Sequence, residues 1–95
     1  MSTEDQPSVS FAGFIISLAT TAAVHFGDYA DPSTGQREPP NLEAAHQMIE
    51  LIAMLQEKTK GNLSAEETKL VDDLLYELRM RFVQAQAGER RIVTP

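Results

Sequence analysis

Cysteine and tryptophan are both absent from this chain. Without cysteine there is no disulfide staple and no thiolate metal centre. A cysteine-free chain also suits a reducing compartment, and the cytoplasm is the expected location. Aromatic residues are few, four Phe and two Tyr, which leaves little for stacking on nucleic-acid bases. Positive charge is scarce as well: eight Lys and Arg against fourteen Asp and Glu give a net charge of −6. That balance argues against binding a phosphate backbone. The two basic clusters, Lys58/Lys60 and Arg90-Arg91, are too short to line a groove.

Long apolar runs are missing too. Residues 8–27 carry no Asp, Glu, Lys or Arg, but the strongly apolar part, 11–26, is shorter than the roughly 20 residues that cross a bilayer. It contains Ser17, Thr20, Thr21 and His25 and has acidic rather than basic flanks, which counts against a span. The acidic start of the chain, 1–7, lacks the positive charge of a secretory leader and reads as disordered. At 95 residues this is one small domain, of a size that often leans on partner subunits when staples are absent.

What is present is helical periodicity. The pattern predicts an all-α domain over 8–87 with three helices. Helix 1 spans about 11–26, with Ser8 or Ser10 as N-cap. Phe11, Phe14, Ile15, Leu18 and Ala22 form one apolar stripe, and Ile16, Ala19 and Ala23 a second, so more than one side of this helix needs cover. Gly13, Ser17 and Thr21 form a ridge of small side chains where another helix could approach closely. Gly27, Pro32, Gly35, Pro39 and Pro40 break the period, so 27–40 is a loop. Helix 2 spans about 42–60 behind an Asn41 N-cap. Its apolar face is Leu42, Ala45, Met48, Ile49, Ile52 and Leu55, with Glu43, Glu50 and Glu57 on the polar side.

The run Lys58-Thr-Lys-Gly-Asn-Leu-Ser-Ala-Glu-Glu67 ends one helix and starts the next. Lys58 and Lys60 suit the negative end of a helix dipole, and Gly61 suits a left-handed C-terminal position. Ser64 and Glu67 make a capping box. Only Asn62 and Leu63 lie between these caps, so helices 2 and 3 are expected to form an antiparallel hairpin. Helix 3 spans about 65–87 and is expected to stop at Gly88, leaving 88–95 as a flexible tail. Leu70, Val71, Leu74, Leu75, Leu78, Phe82 and Ala85 form its core face, while Tyr76, Met80 and Val83 make a second stripe behind. Glu77 and Arg81 are spaced for an i, i+4 ion pair.

Chemistry-bearing patterns are thin. Glu43-Ala-Ala-His46 matches a Glu-x-x-His arrangement that places two metal ligands on one helix face, and Glu50 is the natural third. Di-iron bundles supply that motif from two helices plus further carboxylates, and one copy is present here. A boundary histidine paired with Glu50 explains the same residues. His25 and Asp28 flank the end of helix 1, where a histidine favours the dipole. Ser17, Thr20 and Thr21 lack a nucleophile motif and should bond back to the helix. No cofactor is expected.

Several runs carry a family likeness: Ser17-Leu-Ala-Thr20, Val24-His25-Phe-Gly27, Asn41-Leu-Glu-Ala-Ala45, Ile49-Glu-Leu-Ile-Ala-Met-Leu55, Lys58-Thr-Lys-Gly-Asn-Leu63 and Leu78-Arg-Met-Arg-Phe82. Across roughly 11–83 the chain resembles the bacterial domain of unknown function 1844. The resemblance implies a small bacterial protein and carries over no activity and no catalytic residues.

These readings converge on a non-enzymatic interaction module that packs helix 1 against the hairpin within a homo-oligomeric bundle, most simply a dimer. An unidentified protein partner is also compatible. The surplus apolar surface places the interface on Phe11, Phe14, Ile15, Ile16, Leu18, Tyr76, Met80 and Val83. The alternatives are a small metal protein using Glu43, His46 and Glu50, and a membrane-surface module that inserts helix 1.

Overall fold

The computed structural model describes residues 9–92. Among them the elements are three helices and no strand: α1 (Phe11–His25), α2 (Leu42–Lys58) and α3 (Ala65–Ile92). The expected disorder of 1–7 and the end of the tail at 93–95 lie outside the described residues.

Local chemistry sets the helix ends. Ser10, in extended backbone, caps α1 by accepting from the Gly13 amide at 3.0 Å, the bond that relieves an otherwise unpaired donor. Ser17, Thr20 and Thr21 donate back to the carbonyls of Phe14, Ile16 and Ser17, as the sequence suggests. After α1 the chain turns at Gly27, whose φ of +82° favours glycine. A Cβ there would also meet Pro40 at 3.3 Å. The loop closes on itself: Asp31 accepts from the Ser33 amide and hydroxyl, and the Asn41 amide donates to the His25 carbonyl at 2.7 Å. That last bond ties the start of α2 to the end of α1.

Asn41 then caps α2 through the Ala44 amide at 3.1 Å. At the far end Thr59 is the C-cap, its hydroxyl donating to the Leu55 carbonyl at 2.6 Å. Gly61, two residues past that cap, holds φ at +88°, the left-handed conformation expected of it. Ser64 and Glu67 satisfy one another reciprocally, amide to carboxylate at 2.8 Å and amide to hydroxyl at 3.0 Å. The capping box is therefore formed as its spacing predicts.

α1, α2 and α3 all contact one another. Their shared core is Ile15, Ala22, Phe26, Ala45, Ile49, Ile52, Val71, Leu75 and Leu78. Each fully buried large aliphatic contributes about 1.5–3 kcal/mol of transfer free energy, and Ile15, Ile52 and Val71 supply one such residue per helix. Leu74, Phe82 and Ala85 pack against this centre from α3, so its expected core face is the one used.

Burial and helix length refine these expectations. Ile15 is fully buried in the chain's own core, and Phe11 and Leu18 are partly buried and pack against it. Gly13, Ser17 and Thr21 are all exposed, and among the described residues no helix covers their small-residue ridge. Gly88 does not stop α3, which runs on to Ile92. Gly88 keeps helical geometry, unlike Gly27, Gly35 and Gly61 with their positive φ. A glycine costs a helix interior only about 1 kcal/mol, which is tolerable where no competing cap ends it.

Candidate functional site

On α3, neighbouring residues have opposite fates. Leu75 is 2% exposed and Tyr76 is 66% exposed. The 100° step between successive helix positions turns one into the core and the next away from it. The same step leaves Met80 at 45% and Val83 at 57%, so Tyr76, Met80 and Val83 line the outer side of α3. On α1, Phe14 and Ile16 are about half exposed. Of the eight residues expected at an interface, these five are exposed, Phe11 and Leu18 are partly buried, and Ile15 is fully buried.

The second stripe of α1 has its own setting. Ile16, Ala19 and Ala23 border a shallow groove against Leu74, Glu77 and Leu78 of α3. On another side of the same stretch of α1, Val24 is 4% exposed. It lines a second hollow, of about 340 Å³, together with His25, Asp31, Pro32 and Glu38. Val24 is thus covered within the chain, while Ile16 stays about half exposed.

The three candidate metal ligands, Glu43, His46 and Glu50, do not form a grouped ligand set among the described residues. His46 Nε2 lies 3.5 Å from Glu50 Oε2, with both side chains more than half exposed. The His46 ring sits 5.2 Å from the Phe82 ring, so this is a boundary histidine leaning on the core edge. Among the described residues no three His, Cys, Asp or Glu side chains are grouped to hold a metal ion. Glu43 is an exposed acid in the first turn of α2, where the helix dipole favours it.

His25 sits in the loop-side hollow with its Nδ1 buried, 3.4 Å from Glu38 Oε1 and without a hydrogen bond among the described residues. Ser17, Thr20 and Thr21 border the same hollow. Their hydroxyl protons are committed to backbone carbonyls, so no hydroxyl is paired with the imidazole as a nucleophile requires. Ser33 hydroxyl and amide donors hold the Asp31 carboxyl below its ordinary pKa.

Arg81 departs from the expected pairing with Glu77. It reaches instead to Asp28, donating from Nε at 2.8 Å and from Nη2 at 2.6 Å. Its guanidinium also lies 5.1 Å from the centre of the Phe26 ring, within cation–π range. The hydrogen bond from Arg81 is the main cause that lowers the Asp28 pKa, working against partial burial, and the same bond raises that of Arg81. The two partners lie 53 positions apart, so no local spacing announces the pair. A single Asp after a helix end and a single Arg beside a core stripe give no sequence signal for it.

Among the described residues no helix is long and apolar enough to cross a membrane. The model of a family described as Domain of unknown function (DUF1844) matches residues 8–84. No curated protein and no solved structure matches the chain.

Proposed function

The chain belongs to the DUF1844 family, and we propose that it is a non-enzymatic helical interaction module that assembles with copies of itself, most simply as a symmetric dimer. The carrying observation is the outward stripe of Tyr76, Met80 and Val83, three large apolar side chains in helical register, each 45% exposed or more. Phe14 and Ile16 add to the outward apolar surface from α1. Exposed apolar side chains aligned along one helix in a small acidic protein favour association, and two-fold closure is its simplest form.

In this reading α2 and α3 form an antiparallel hairpin that presents the stripe on its outer side. Support comes from the short connection after Lys58 and from Gln56, near the end of α2, which donates to Asp72 in the first half of α3 at 2.6 Å. The bacterial cytoplasm is the proposed setting, in keeping with a chain that has no cysteine. Sedimentation velocity at micromolar concentration tests assembly: a dimer is expected, and a monomer would contradict the proposal.

A further inference from the structure

Resting on that reading of a self-associating chain, we infer that α3 pairs with α3 of a second copy in antiparallel orientation, across the face that carries Tyr76, Met80 and Val83. The occupant of the face is thus a second copy, and the charge pattern of α3 selects it. Residues 65–77 hold five acids and one lysine, whereas residues 78–92 hold one glutamate and four arginines, of which Arg81 is already held by Asp28. The division falls in the middle of the apolar stripe. In a parallel pair each acidic half meets the other acidic half, and like charges at close range oppose association. An antiparallel pair sets the acidic half of each copy along the basic half of the other.

The apolar residues obey the same symmetry. Tyr76 and Val83 are equally distant along the chain from the Arg79–Met80 peptide bond. A two-fold axis there faces each Tyr76 to the partner's Val83 and places Met80 close to its own copy. One operation therefore closes the apolar centre on itself and sets a net acidic half beside a net basic one, as a two-fold, self-complementary interface allows.

The cysteine-free sequence makes the orientation measurable, because one introduced cysteine gives one spin label per chain. Glu66 and Ala87 are both exposed, so Glu66→Cys and Ala87→Cys leave the core intact. With a rise of 1.5 Å per residue, antiparallel copies separate the Glu66 labels by about 40 Å and the Ala87 labels by about 20 Å. Parallel copies hold both pairs near the interhelical distance of about 10 Å. Pulsed dipolar spectroscopy, with the mass checked by light scattering on the same samples, is expected to give the long and the intermediate distance. Short distances at both sites in a dimer would overturn the antiparallel pairing and leave self-assembly standing. A dimer whose mass is unchanged by Val83→Asp would overturn the choice of face. A monomeric wild-type chain would overturn self-assembly and this pairing together.

Discussion

Arg81 on α3 clasps Asp28, just beyond α1, through two hydrogen bonds of 2.8 and 2.6 Å. The clasp spans 53 positions of sequence and fastens the end of the first helix to the last. Both side chains remain about a third exposed, 33% and 35%, so solvent screens the pair. A charge-assisted hydrogen bond is worth about 1.5–3 kcal/mol when well protected, and screening reduces that to about 1 kcal/mol here. Asp28→Asn should lower unfolding free energy by about that amount in urea titrations. Arg81→Lys should also lose most of that contribution, because an ammonium group cannot make the paired contact.

The same pair sets a pH dependence. Asp28 has a lowered pKa in the folded state, chiefly through its hydrogen bond from Arg81. Its contribution to stability is therefore complete above the ordinary carboxylate range and is lost as pH falls through the lowered value. The stability gap between wild type and Asp28→Asn should be full at neutral pH and should shrink as the medium is acidified below that range. A gap that stays constant on acidification would show that the carboxylate charge is not what matters.

The glycines give opposite expectations. Gly61 holds φ at +88° with open space around it, so Gly61→Ala costs only the backbone penalty of the left-handed region, about 1 kcal/mol. Gly88 is helical and has equally open space. Gly88→Ala should therefore stabilise by about 0.5–1 kcal/mol. Thermal melts of the two variants should move in opposite directions.

Burial separates structural residues from outward ones. Ile52→Ala, at a fully buried position, should destabilise by about 2–5 kcal/mol through lost contacts and a residual cavity. Tyr76→Ala, at a 66% exposed position, should leave the fold of the isolated chain nearly unchanged and weaken self-association instead. Circular dichroism melts alongside a concentration series of sedimentation runs distinguish the two effects.

Much of the fold is legible in the sequence because capping is local chemistry. The Ser64–Glu67 box, the Asn41 cap and the left-handed Gly61 each depend on atoms within a few residues, so spacing alone points to them. The outward placement of Tyr76, Met80 and Val83 follows equally directly from helical period. What spacing does not reveal is long-range. Arg81 has a near neighbour of opposite charge in Glu77, yet it turns to Asp28, because Phe26 and the end of α1 bring a better placed carboxylate beside it. Ile15 reads like Phe14 and Ile16 in sequence. Only the packing of α1 against both other helices decides that Ile15 goes inward while its neighbours stay about half exposed. Gly88 resembles a stop signal, yet it keeps helical geometry and α3 runs on to Ile92.

The most direct test of self-assembly through α3 is light scattering of wild type and Met80→Glu across micromolar concentrations. Met80 is 45% exposed, so a glutamate there can be solvated in the separated chain, whereas a partner helix would bury its charge. We expect a dimer mass for wild type and a shift to monomer mass for the variant, with helix content retained. A monomeric wild type, or a variant that keeps the dimer mass, would contradict assembly through this face.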